Sequence, residues 1–208
     1  MNQEQVWDKI AERWQTFREQ APEEVVEFLE KKKGKIIDMG CGGGRNFIKN
    51  PKITYYAVDF SKEMLKFAEA KAKKMKINAL FFKNSLEKLP FEKDFFDGAI
   101  FISTLHSVEN SKNRLKSLKE LYRVLKKGSE AMISVWDKSK TRIPAKIKDK
   151  ESYATWNVFG ERYKRYYYFY EEKELIKNLK KVGFKIIKRK NYKSTSHSRK
   201  NIILYVKK

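Results

Sequence analysis

The stretch Lys35-Ile36-Ile37-Asp38-Met39 followed by Gly40-Cys41-Gly42-Gly43-Gly44 limits the possible folds of this chain more than any other. Its apolar, β-branched run reads as a buried strand, and the glycines then force a tight turn. A short helix is expected to begin near Arg45 and run to about Asn50, with its first N–H groups above the strand end. A second strand, Ile53 to Val58, ends in Asp59, about twenty residues after the first glycine. At that spacing a carboxylate reaches ribose hydroxyls in nucleoside-binding βαβ units. Together the two strands predict a nucleoside ligand at the carboxyl ends of a parallel sheet.

Asp38 narrows the ligand further. A dinucleotide loop holds pyrophosphate and has no use for an acid just before its glycines, whereas an acid there suits a cationic ligand with an amino group. Asp38 followed by G-x-G-x-G therefore points to S-adenosylmethionine, with an ordinary glycine-rich turn as the bland alternative. On this reading Asp38 engages the amino group, directly or through water, and Gly40, Cys41 and Gly42 present backbone. Asp59 takes the ribose hydroxyls, and Phe60 or Met64 touches the adenine face. Cys41 is read first as a small residue within the turn and only second as a reactive thiol.

The rest of the chain alternates strands with helices. Trp7, Ile10, Trp14 and Phe17 share one helical stripe, and a second amphipathic helix follows Pro22, so residues 1–33 are expected to be helical. Ser61 reads as the N-cap of a helix running to Met75. Further strands are expected at 79–82, 95–103 and 131–136, and 184–187 pairs with 202–206 as an antiparallel edge. The fold class is α/β: one domain over 1–208 with a Rossmann-like, mostly parallel seven-stranded sheet and helices on both faces. Residues 137–170 lack clean periodicity and read as an insertion covering the site.

Charge is the second signal. Forty-eight Lys and Arg face 26 Asp and Glu, a formal +22, which favours a polyanionic partner, with nucleic acid the leading choice. The single cysteine excludes an internal disulfide and a cysteine-built zinc site. The first residues hold acids and no apolar segment, so neither a signal peptide nor a membrane span is expected, and a cytoplasmic location is.

On these residues the chain resembles class I S-adenosylmethionine-dependent methyltransferases. More narrowly, it resembles the tRNA methyltransferases of eukaryotes and archaea that esterify a carboxymethyl group on the wobble uridine. The matching stretches include Val6-Trp7-Asp8-Lys9-Ile10-Ala11-Glu12-Arg13, Asp38-Met39-Gly40-Cys41-Gly42, Leu89-Pro90-Phe91 and Phe96-Asp97-Gly98-Ala99-Ile100. Leu105-His106, the run from Glu120 to Gly128, Ser134-Val135-Trp136 and Arg165-Tyr166-Tyr167 extend the match. Where such enzymes usually carry an acid after the third strand, this chain has Ser85, and the resemblance implies that Ser85 and the Leu86 N–H serve the adenine. The last strand also lacks the tryptophan common in that family.

The resemblance implies tRNA as substrate and a small zinc-binding activator protein that adds a strand beside Ala79–Phe82. A carboxylate acceptor is ionised at neutral pH and needs orientation more than a general base. His106 is therefore expected to orient the acceptor, with Arg18 and Arg165 clamping carboxylate or phosphate. Lys138, Lys140, Arg142, Lys146, Lys148, Arg162, Lys164 and Arg165, interleaved with Tyr153, Trp156, Phe159, Tyr163 and Tyr166, are expected to meet the RNA, and Lys188, Arg189, Lys190, Lys193, Arg199 and Lys200 add a second basic cluster. The alternatives are a small-molecule methyltransferase of the same fold and a non-catalytic cofactor-binding partner of RNA.

Overall fold

The structure is a computed structural model describing residues 1–17, 19–138, 150–191 and 201–208. Its central sheet follows from apolar residues that alternate between two cores. In β1 (Gly34–Met39), Ile36 enters one core while Ile37 and Met39 enter the other. β2 (Ile53–Asp59) divides Tyr55 and Ala57 from Val58, and β4 (Phe96–Ile102) divides Ile100 and Ile102 from Ala99 and Phe101. Strands apolar on both faces need helices on both faces. α2 (Glu23–Glu30) and α3 (Lys62–Met75) cover one side with Val25, Leu29, Leu65 and Ala68. α4 (Ser111–Val124) and α5 (Glu172–Val182) cover the other with Leu118, Leu121, Leu175 and Leu179.

With β3 (Ala79–Lys83), β5 (Leu125–Trp136), β8 (Lys185–Asn191) and β9 (Asn201–Lys207), the seven-stranded order is β3-β2-β1-β4-β5-β9-β8. β1 to β5 run parallel, and β9 pairs antiparallel with both β5 and β8. This is the Rossmann-like class I methyltransferase architecture expected from the sequence. The order reverses direction between β1 and β4, which opens a crevice beyond their carboxyl ends. Ser61 caps α3 as anticipated, its hydroxyl accepting from the Met64 N–H at 3.1 Å.

Two local expectations fail. No helix follows the glycines, and residues 42–46 form turns. Gly40, Gly42 and Gly44 all take positive φ, and only six residues then remain before Pro51, too few to repay helix nucleation. Asn50 instead donates to the carbonyls of Leu29 (3.0 Å) and Lys32 (3.2 Å), tying the segment to the end of α2. The second failure lies in 137–170. β6 (Glu151–Val158) and β7 (Glu161–Tyr168) form a separate antiparallel ribbon. Its period of two was legible in Ser152, Ala154, Trp156 and Val158, but polar neighbours diluted the signal.

The ribbon packs on α1 (Gln3–Phe17) through Val6, Ile10, Val158 and Tyr163. Gln3 stitches the two together, accepting from the Tyr166 N–H at 2.9 Å and donating to the Lys164 carbonyl at 3.2 Å. Among the described residues, no helix is long and apolar enough to cross a membrane.

Candidate active site

A cavity of about 1060 Å³ opens at the carboxyl edge of the sheet, lined by Gly40, Cys41, Gly42, Asp59, Phe60, Met64, Ser85 and Leu86. The structure thus brings together eight of the nine residues singled out for the cofactor. The ninth, Asp38, is fully buried behind the loop. One of its oxygens accepts from the Asn46 amide at 3.5 Å, and the other has no partner. Asn46 lines the cavity, and its own amide oxygen is likewise buried and unpartnered. Two orphaned acceptors side by side call for a donor-rich cation, and an ammonium with three N–H groups meets that need.

Four N–H groups of the glycine loop are already engaged within the protein. The Gly40 and Cys41 N–H groups donate to the Val58 carbonyl (2.8 and 3.0 Å), and Gly44 N–H donates to the Cys41 carbonyl (3.0 Å). Gly42 N–H donates to Asp59 at 2.9 Å. Burial pushes the Asp38 carboxyl up to about 7, and Asp59 adds to that rise. Burial also lifts Asp59 to about 6, against the opposing bonds from the Ser61 and Gly42 N–H groups. The same burial, with both carboxylates nearby, raises the Cys41 thiol well above its ordinary value and keeps it protonated. These residues fit S-adenosylmethionine: orphaned acceptors for its amino group and Asp59 at the end of β2 for its ribose.

The glycines divide their work. A Cβ on Gly40, at φ +72°, would lie 2.1 Å from Thr104 Cγ2, so this position must be bare for the loop to pack on β4's exit. A Cβ on Gly42, at φ +52°, would meet no protein atom within 4 Å and would project into the open space a ligand needs.

α1 closes the other side of the cavity with Trp7 and Trp14. Asp8 seats it by accepting from the Ser61 hydroxyl (2.6 Å) and the Glu63 N–H (3.2 Å), reinforcing the first turn of α3. Asp8, Asn46 and Thr104 join the site without having been expected there from the sequence. Asp8 lay within the N-terminal motif, whereas nothing in the chain pattern marks Asn46 or Thr104, whose contacts depend on the path of the loop.

The residues expected to handle the acceptor lie deeper than foreseen. His106, in a 3-10 turn (Leu105–Ser107), is buried. Its Nδ1 accepts from the Trp136 N–H at 3.2 Å, and its ring stacks on Trp136 at 4.6 Å. Ser103, Thr104 and Ser107 line the cavity and His106 does not. Arg165 is 2 % exposed and donates to the Tyr167 hydroxyl at 2.5 Å. Its guanidinium lies 4.7 Å from the Trp14 ring centroid, 4.8 Å from Trp156 and 5.8 Å from Trp7. It therefore stands behind the cavity-lining indoles of Trp7 and Trp14. Trp156, Tyr163 and Tyr166, expected at an RNA surface, pack inside the protein. Arg18 lies outside the described residues, as do Lys140, Arg142, Lys146, Lys148, Lys193, Arg199 and Lys200.

Comparison with known proteins agrees with this geometry. Residues 30–185 match the model of a methyltransferase domain family. An uncharacterized protein of Methanocaldococcus jannaschii is 34% identical over 194 residues, covering 88% of this chain and 82% of that one. A tRNA (carboxymethyluridine(34)-5-O)-methyltransferase of Arabidopsis thaliana is 31% identical over 133 residues, 63% of this chain. The chain spans only 31% of that plant protein's length. Among solved structures, a Burkholderia thailandensis 1,6-didemethyltoxoflavin-N1-methyltransferase with bound S-adenosylhomocysteine superposes with a TM-score of 0.72 at 17% identity. That superposition covers 98% of this chain and 84% of the other. The family match over most of the chain, on a cavity that suits an adenosyl cation, leads to one conclusion: this protein belongs to the methyltransferase domain family and is an S-adenosylmethionine-dependent enzyme.

Proposed function

We propose that this chain methylates tRNA, converting the carboxymethyl group of a wobble uridine to its methyl ester. The observation that carries the reading is the polarity of the cavity. Asp59 lines it, with Asp38 buried behind the glycine loop, while Trp7 and Trp14 also line it with the Arg165 guanidinium behind them. A flat acceptor carrying a carboxylate suits an aromatic wall backed by a cation. At about 1060 Å³ the space is at the upper end for a single small-ligand pocket, which leaves room for an acceptor beside the cofactor. The +22 charge supports a nucleic-acid substrate, as does likeness to the Arabidopsis enzyme and to a Schizosaccharomyces pombe protein named for the same carboxymethyluridine reaction.

S-adenosylmethionine, when bound, supplies an activated methyl group on a sulfonium. What the chain must do is align and shield. Asp59 fixes the ribose, and each of its oxygens, already bonded to the Gly42 or Ser61 N–H, keeps a lone pair for a hydroxyl. Asp38 and Asn46 hold the amino group, while Phe60, Met64, Ser85 and Leu86 border the adenine. The indole wall excludes water and orients the acceptor for in-line attack. An ionised carboxylate needs no general base. In this proposal His106 orients the acceptor indirectly, through its buried stack with Trp136 behind the cavity lining, and Arg165 acts from behind the indoles, with Arg18 as a further phosphate or carboxylate contact.

An activator is part of the proposal. β3 is the terminal strand of the sheet, and Leu80 on it is 46% exposed, which suits an added strand from a small zinc-binding partner.

The deciding experiment is transfer of labelled methyl groups to total tRNA, followed by nucleoside mass analysis and mild alkali. Label lost in alkali as a methyl ester is the expected result, and an alkali-stable base methyl would move the enzyme to another tRNA reaction. For the cofactor, calorimetry on Asp59→Ala should show S-adenosylmethionine affinity reduced at least tenfold, roughly the value of a charge-assisted hydrogen bond. Unchanged affinity would remove Asp59 from the ribose site.

A further inference from the structure

The β6–β7 ribbon has two unlike faces. The inner one, with Trp156, Val158, Tyr163 and Arg165, is buried on α1, and Trp156 meets the cavity-lining Trp14 edge-on at 5.4 Å. The outer one is buried at Tyr166 and Tyr168, which join the main core, and exposed toward the tip. Thr155 pairs with Lys164 and Asn157 with Arg162, and all four are exposed, as is Tyr153 at 56%. At the tip Phe159 is 76% exposed, and the Arg13 guanidinium of α1 sits 5.5 Å from its ring.

We infer that this outer face is the docking surface for a single-stranded RNA loop, which presents one nucleotide to the cavity while its neighbours lie along the ribbon. The inference rests on the tRNA reading above. Lys164 and Arg162 project from one face two residues apart, roughly 7 Å along the strand, and neither forms an ion pair with a described carboxylate. The acids nearest in the ribbon, Glu151 and Glu161, stand at its ends. Like charges placed together on one face are unfavourable for the protein alone and are relieved by a polyanion. The exposed rings decide between a duplex and a loop. Tyr153 and Phe159 offer π-faces that only unstacked bases can cover, and base-on-ring stacking tolerates any sequence. Position supplies the link to catalysis, because the ribbon is separated from the acceptor space by a single layer of indoles. Arg13 adjoins the cavity-lining Trp14 on α1 and reaches the Phe159 ring at the ribbon tip, which joins the cavity wall to the face bearing Arg162 and Lys164.

The test uses the whole chain and unfractionated tRNA. The variant Phe159→Asn with Arg162→Glu and Lys164→Glu is compared with a control carrying Lys177→Glu and Lys181→Glu on the exposed side of α5. Both lower the net charge by the same amount, and asparagine suits the φ of +48° at position 159. The ribbon variant should lose at least tenfold in tRNA affinity and raise KM for tRNA similarly, with cofactor affinity unchanged. Its plot of log affinity against log salt should flatten by about 1.4, two phosphate contacts at about 0.7 each on a single strand. Control losses should stay within about twofold. If the ribbon variant also lost cofactor binding, the exposed single change Arg162→Gln would be read in its place, with a slope change of about 0.7 expected. Equal losses in ribbon variant and control, or an unchanged KM, would overturn the docking surface while leaving the tRNA reading intact. Absence of tRNA binding by the unaltered protein would overturn both, and binding of an acidic protein through these residues without loss of tRNA affinity would overturn the docking surface.

Discussion

Asp38→Asn should make the ligand-free protein more stable and at the same time a poor binder of S-adenosylmethionine. A buried carboxyl raised from 3.8 to about 7 stores roughly 4 kcal/mol of unfavourable ionisation free energy above that pH, taken as an upper bound. The neutral amide removes the burden while keeping the shape, so a gain of about 2 kcal/mol is expected, some 4–8 °C in Tm for a domain of this size. The sign follows from proton binding. Between about pH 4 and pH 7 the folded wild type holds a proton at Asp38 that the unfolded chain has released, so ligand-free stability falls as pH rises through that window. Asp59, at about 6, adds a second slope of the same sign that ends sooner. Thermal melts from pH 5 to 8 should show the decline flattened in the variant. Cofactor affinity runs the other way: the cationic amino group needs the ionised acid, so wild-type binding weakens as pH drops below about 7. The variant should bind roughly 30- to 100-fold more weakly at pH 8. A variant that bound normally would show that the orphaned oxygens beneath the loop do not hold the amino group.

Gly40→Ala should unfold the protein more readily, whereas Gly42→Ala should spare the fold and damage binding. At position 40 the methyl would sit 2.1 Å from Thr104 Cγ2 and 2.8 Å from its Cβ, too near the branch point for a rotamer change to relieve. Backbone strain at positive φ adds to the collision, and together they amount to about 3 kcal/mol or more. Removing the obstacle in Gly40→Ala with Thr104→Gly should return the steric part and leave the strain, which a double-mutant cycle reports as a favourable coupling. At position 42, φ of +52° costs an alanine about 1 kcal/mol and the space is open. The loss should therefore appear in cofactor affinity, because the methyl enters the cavity. Equal destabilisation at both positions would contradict the division of roles drawn between them.

How far the chain alone disclosed these roles varied by residue. Asp38, the glycines and Asp59 were recognisable because strand ends in a parallel sheet place consecutive motif residues at one edge, so spacing along the chain translates directly into proximity. Ser61 was recognisable for a similar reason, since a cap acts on residues three positions away. The antiparallel β8–β9 pair, the two-sided cores and the basic surplus also follow from local pattern and composition. His106 and Arg165 were recognisable as residues but not in depth. A strand-end histidine and an arginine on a ribbon look alike whether they face a ligand or an indole, and here the packing of α1 against β6–β7 placed Arg165 behind the wall.

Sequence by itself determined the fold class, the cofactor and the placing of Asp38 and Asp59 at one sheet edge, because these depend on periodicity and on short fixed offsets. Only the tertiary structure decided that Asn46 shares Asp38's unmet need for a donor, that Asp8 seats the α1 roof on α3, and that Thr104 forbids a side chain at Gly40. It also decided which aromatics of the ribbon remain in solvent. Each of these depends on contacts between segments distant in the chain, and no period or spacing encodes which face of one element meets which face of another.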